Sequence, residues 1–95
     1  MRAVADVVAD RLRHLAQPRL LAVEAQARSS VEALAALSLR AQGMAPRPLP
    51  SASVRALGDQ VSVLTYDLLA VGGGLSRKDL TEAHALLVEL RQALP

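Results

Sequence analysis

The stretch VRALGDQVSVLTYDLLAV, residues 54–71, sets Val54, Leu57, Val61, Leu64, Leu68 and Val71 three or four positions apart, and LTEAHALLVELRQAL, residues 80–94, repeats the spacing with Leu80, Ala83, Leu87, Leu90 and Leu94. Side chains at this interval share one stripe of a helix, because the helix turns once every 3.6 residues. Each stripe needs an apolar surface opposite it. The two segments are therefore expected as helices that fold back on each other across Gly72, Gly73 and Gly74.

The same spacing extends towards the N-terminus. Val4, Val8, Leu12 and Leu15 form one stripe, and Leu20, Val23, Ala27, Val31, Leu34 and Leu37 form another. Pro18 separates them: it disfavours helix at Gln17 and lacks an N–H, yet it suits the first turn of a new helix. Arg40 stands near the end of the second segment, where a cation complements the macrodipole, and Gly43 follows as the expected C-terminal cap. Prolines 46, 48 and 50 favour an extended linker over 43–52. Ser51 or Ser53 can cap the third helix, and Ser76 with Asp79 the fourth. The expectation is an all-α, four-helix bundle-like single domain over 1–95, with helices near 2–17, 19–42, 53–71 and 76–94. The helices are expected as two antiparallel hairpins joined by the Pro-rich linker.

Composition bounds the chemistry. Dropping the one Tyr and adding the five Gly turns the 52% hydrophobic content into about 56%, against about 45–50% in ordinary domains. A chain of 95 residues has little interior for this excess, which points to docking on a second copy or a larger partner. Phe, Trp, Cys, Ile and Asn are absent and Lys occurs once, while Ala, Arg, Leu, Val and Pro are abundant. This usage points to a GC-rich bacterial genome. A core of Leu, Val and Ala lets helix axes approach to about 8 Å. Without Cys there is no disulfide, thiolate nucleophile or Cys-ligated zinc. Asp6 and Asp10 interrupt the N-terminal apolar pattern, and no uncharged run approaches a membrane span, so the expected location is the cytoplasm with no membrane partner.

Each candidate for chemistry has a plainer explanation. His14, about a turn before Pro18, resembles the phosphoacceptor helix of histidine-kinase dimerisation domains. The likeness covers under a tenth of the chain, and Leu15 and Pro18 stand where such helices place an acid and a helper polar residue, so acid–base assistance is missing. His84 borders the apolar seam, and neither Glu82 nor Arg91 completes a ligand pair with it. GGGLSRK, residues 72–78, has the glycines and cations of a phosphate loop but lacks the preceding strand and the GK[ST] ending, so a hairpin turn is expected. Arg47-Pro48-Leu49-Pro50 resembles a ligand for proline-reading domains, but lacks the further proline at position 53. Arg residues 11, 13, 19, 28, 40, 47 and 55 raise nucleic-acid contact, against which stand a net charge of only +2 and interleaved carboxylates.

The function expected from these residues is non-catalytic, with no cofactor and no metal. A small helical interaction protein would act through apolar helix faces, either as a homo-oligomer or as an accessory, adaptor or chaperone-like subunit of a larger complex. The apolar positions left over from the seams, Leu21, Val63, Leu69, Leu86 and Val88, are the expected contact residues. A basic helical nucleic-acid-binding protein and a histidine phosphotransfer-type dimerisation module are the alternatives.

Overall fold

A computed structural model describes residues 1–45, 47, 53–70 and 76–94. It shows helices α1 (Arg2–His14), α2 (Gln17–Ala41), α3 (Leu57–Ala70), entered through a 3₁₀ turn at Val54–Ala56, and α4 (Arg77–Ala93). No strand occurs among the described residues.

α1 and α2 are separate helices. Leu15 (φ −67°, ψ 139°) and Ala16 (φ −61°, ψ 147°) are both extended and form the corner between them. The break thus lies upstream of the position expected at Gln17, which is already helical. A continuous helix would drive the Pro18 ring into the carbonyl of His14, so the chain leaves the helix before that clash and re-enters with Pro18 in the first turn, where no N–H is needed.

Gly43 ends α2 as expected. At φ +72° it is the one described residue in the left-handed region. Its N–H donates to the Arg40 carbonyl at 3.0 Å, and the Met44 N–H reaches the Leu39 carbonyl at 2.8 Å. These two bonds are the Schellman pair, which satisfies carbonyls that the helix end leaves open. At the start of α4, Ser76 Oγ accepts from the Asp79 N–H at 3.0 Å, the cap read from the sequence. Ser53 precedes the 3₁₀ turn without a side-chain cap bond, and Ser51 lies outside the described residues.

The helices are packed together, but not as two hairpins. α1 and α2 each pack on both α3 and α4, whereas α1 with α2, and α3 with α4, make at most marginal contact. Near one end of the α1/α3 pair Arg13 meets Asp59, and near the other Arg2 lies over the Tyr66 ring, so these two helices run antiparallel. Arg40 in the last turn of α2 bonds Asp79 in the first turn of α4, which sets α4 running back along α2. The expected pairing of consecutive helices is corrected for a steric reason. α3 carries Gly58, whose backbone is so close to α1 that a Cβ there would stand 2.8 Å from the Ala9 carbonyl oxygen and 3.0 Å from Arg13 Cγ. Ala5 and Ala9 are buried on α1, and these small residues allow that approach.

The core draws on all four helices, with Leu12, Leu20, Leu34, Leu57, Leu68, Leu87 and Leu90 fully buried. The buried line of α3 runs through Leu57, Gly58, Val61, Thr65 and Leu68, while Val54 and Leu64 are half-buried at its margin. Val71 and Gly72 to Gly74 lie outside the described residues, as does most of the linker. On α4, Ala83, Leu87 and Leu90 are buried as expected, as is Leu94 at its C-cap, but Leu80 is 39% exposed. It sits in the first turn of α4, where the seam has not yet met the core. No described helix is long and apolar enough to cross a membrane.

Candidate interaction surface

The outer face of α3 holds the main apolar exposure. Leu57, Val61, Thr65 and Leu68 turn one side of this helix into the core, so Val63 falls opposite and is 57% exposed. Tyr66, three residues on, and Leu69 beyond it are 43% and 40% exposed. Ala56, Asp59, Gln60, Val63 and Leu64 line a shallow depression of about 250 Å³ beside them.

Charged groups of α1 border this face. Arg13 donates through Nε to Asp59 Oδ1 at 2.9 Å and through Nη2 to Ser62 Oγ at 3.2 Å. The Arg2 guanidinium carbon lies 4.9 Å from the centre of the Tyr66 ring, a cation–π distance. Asp59 is therefore neutralised from within the chain, and Tyr66 stays 43% exposed with Arg2 over its ring.

The other expected contact residues are dispersed. Leu21 is 52% exposed near the start of α2. Leu86 is half-buried and packs against the chain's own core, and Val88 is also half-buried. Leu80 and Met44, both exposed, were given no such role by the spacing. The total surface of 5481 Å² is close to the roughly 5,200 Å² typical of a folded monomer of 10.0 kDa.

A second cluster joins α2 to α4. Arg40 Nη2 donates to Asp79 Oδ1 at 2.6 Å and to Glu82 Oε2 at 3.4 Å, and these carboxylates raise the guanidinium pKa above its ordinary value, chiefly through the hydrogen bond that Asp79 accepts. Arg28 holds Glu24 at 2.7 Å, and Arg55 donates to the Leu15 carbonyl at 2.8 Å. Arg13, Arg28, Arg40 and Arg55 are thus committed within the chain, which lowers the cationic surface open to phosphates.

His14 is exposed, with Nδ1 2.8 Å from the Asp10 carbonyl oxygen and 3.3 Å from Asp10 Oδ1. His84 is exposed on α4. Among the described residues no group of three or more metal-capable side chains comes together. Of GGGLSRK, only Ser76 to Lys78 is described, and Ser76 spends its oxygen on the cap. In the Arg47 to Pro50 motif only Arg47 is described, and it is exposed.

In comparisons with known proteins, no family model, no curated protein and no solved structure matches this chain.

Proposed function

We propose that this chain is a small non-catalytic interaction protein of the bacterial cytoplasm, and that it binds another protein surface through the outer face of α3. The partner is either a second copy or a larger complex in which the chain serves as an accessory subunit. The observation that supports this is the clustering of Val63, Tyr66 and Leu69 on one helix whose opposite side is committed to the core. Exposed apolar groups gathered on one face are the usual mark of a contact surface, whereas single exposed ones are ordinary. Tyr66 adds an amphipathic ring of the kind enriched at interfaces.

The decisive variant is Val63→Glu. An exposed position accepts the charge without unfolding, and a covered one does not. Light scattering and circular dichroism should show an unchanged helical signal with loss of association, or loss of a partner that co-purifies with the wild type. A wild type that is monomeric at high concentration and retains the same co-purifying proteins after Val63→Glu would refute the reading.

A further inference from the structure

The corner between α1 and α2 has few local caps, although Leu15 itself is half-buried against the core. No glycine follows α1, whose C-cap is the extended Leu15. Ala16 stands at the N-cap of α2 with no side-chain bond, and no acidic residue occupies the first turn. Leu15, Ala16 and Gln17 are all competent helix residues, so the feature that forbids one continuous helix is Pro18. Meanwhile α1 packs on α3, α4 and the 3₁₀ turn, with marginal contact at most to α2. Nearly everything that holds α1 belongs to the chain beyond residue 53. The polar ties beside the corner include the Arg13–Asp59 pair, whose side chains are 41% and 72% exposed, the Arg13 bond to Ser62, and one bond from Arg55 to the Leu15 carbonyl.

From this placement we infer that α1 is an exchangeable arm whose partner is a second copy of this chain. The corner at Leu15–Ala16 opens, α1 of each copy docks on α3 and α4 of the other, and the contacts of the monomer are re-made across a reciprocal dimer. Complementarity is guaranteed because the surfaces are the same ones. The buried stripe of Ala5, Val8, Ala9 and Leu12, whose Ala9 and Leu12 lie against Gly58, can dock the same way from another chain, and only the two-residue corner must change. Opening does not require one continuous helix, which Pro18 forbids: Leu15 and Ala16 are already extended, and a change in their torsions alone redirects α1. Pro18 holds the balance, since it blocks the fused helix that would carry α1 away from its own α3. This inference does not depend on the α3 outer face, which stays uncovered in the exchanged dimer.

The chain has no cysteine, which makes the test direct. Arg13→Cys and Asp59→Cys are prepared as separate proteins, one carrying a size tag, then mixed in equal amounts at high concentration and treated with a short bis-maleimide. An exchanged dimer brings Cys at 13 of one copy to Cys at 59 of the other, and restores the native Arg13–Asp59 pair at its second contact. The 13–59 link should exceed the 13–13 and 59–59 links several-fold, and it should persist when Val63→Glu is added to both chains. In a Pro18→Ala background the dimer should form about tenfold or more readily, because the block on a continuous helix is gone. Links in the proportions of random collision, or no 13–59 link, in the wild-type background would overturn the inference whatever Pro18→Ala does.

Discussion

Gly58→Ala sets two opposing effects against each other at one site. Alanine in place of glycine inside a helix favours folding by about 1 kcal/mol through propensity alone. At position 58 the added Cβ would meet the Ala9 carbonyl oxygen at 2.8 Å, closer than real Cβ atoms come to backbone, and Arg13 Cγ at 3.0 Å. The Arg13 side chain can yield, but the carbonyl belongs to the α1 backbone, so the helix itself has to move. Overpacking of this kind costs about 1–3 kcal/mol. The net expectation is a destabilisation of about 1 kcal/mol, which lowers the melting temperature of a domain this size by about 4–8 °C. Urea and thermal unfolding followed by circular dichroism measure it. Gly58→Ala in an Arg13→Ala background should recover only a minor part of the loss, because the backbone contact remains. A variant that is more stable than wild type by the full propensity gain would refute the close approach of α1 to α3, and with it the account of why these helices pair.

Gly43→Ala should also destabilise, by about 1 kcal/mol, but purely through its left-handed φ of +72°, as nothing stands within 4 Å of the new Cβ; an unchanged urea midpoint would contradict the Schellman geometry. Thr65 is 1% exposed and its Oγ1 has no partner among the described residues, so Thr65→Val should be neutral or stabilising by about 1 kcal/mol, and a loss of similar size would show that the hydroxyl is bonded. Leu87→Ala, at a site with 0% exposure, should cost about 2–5 kcal/mol, and the half-buried Leu64→Ala clearly less, as read from chemical denaturation; equal costs would mean that Leu64 is as enclosed as Leu87.

The helices themselves were legible because their signals are local. Pro18 announces a break, Gly43 a left-handed stop, Ser76 with Asp79 a cap, and the structure holds all three. Pairing was not legible in the same way. A stripe at 3.6-residue spacing says which side of a helix is apolar, but not which other helix it meets, and the chain order suggested neighbours that the packing does not use. Gly58 was the available clue, a costly residue inside a helical pattern whose reason is a close backbone contact. Thr65 escaped notice because a polar type was not placed on the buried line, although it stands four residues after Val61 and three before Leu68. Of the candidate surface, Leu21, Val63 and Leu69 were picked out by being surplus to the stripes, and all are exposed. Leu86 was also surplus by spacing, yet it rests against the core, since a helix touched by two neighbours buries a wider arc than one stripe.

The alternation in packing, in which α1 and α2 rest on α3 and α4 and hardly on themselves, has a consequence for synthesis on the ribosome. Domains often fold from the N-terminus as the chain emerges, but here the first half has no internal partner for its apolar faces. Val8, Leu12, Leu20 and Leu34 stay without cover until α3 and α4 have been made and have cleared the exit tunnel. By the same logic, a chain severed within 48–52 would give two fragments that are unstructured apart and helical together, so the fold can be switched on by mixing its halves.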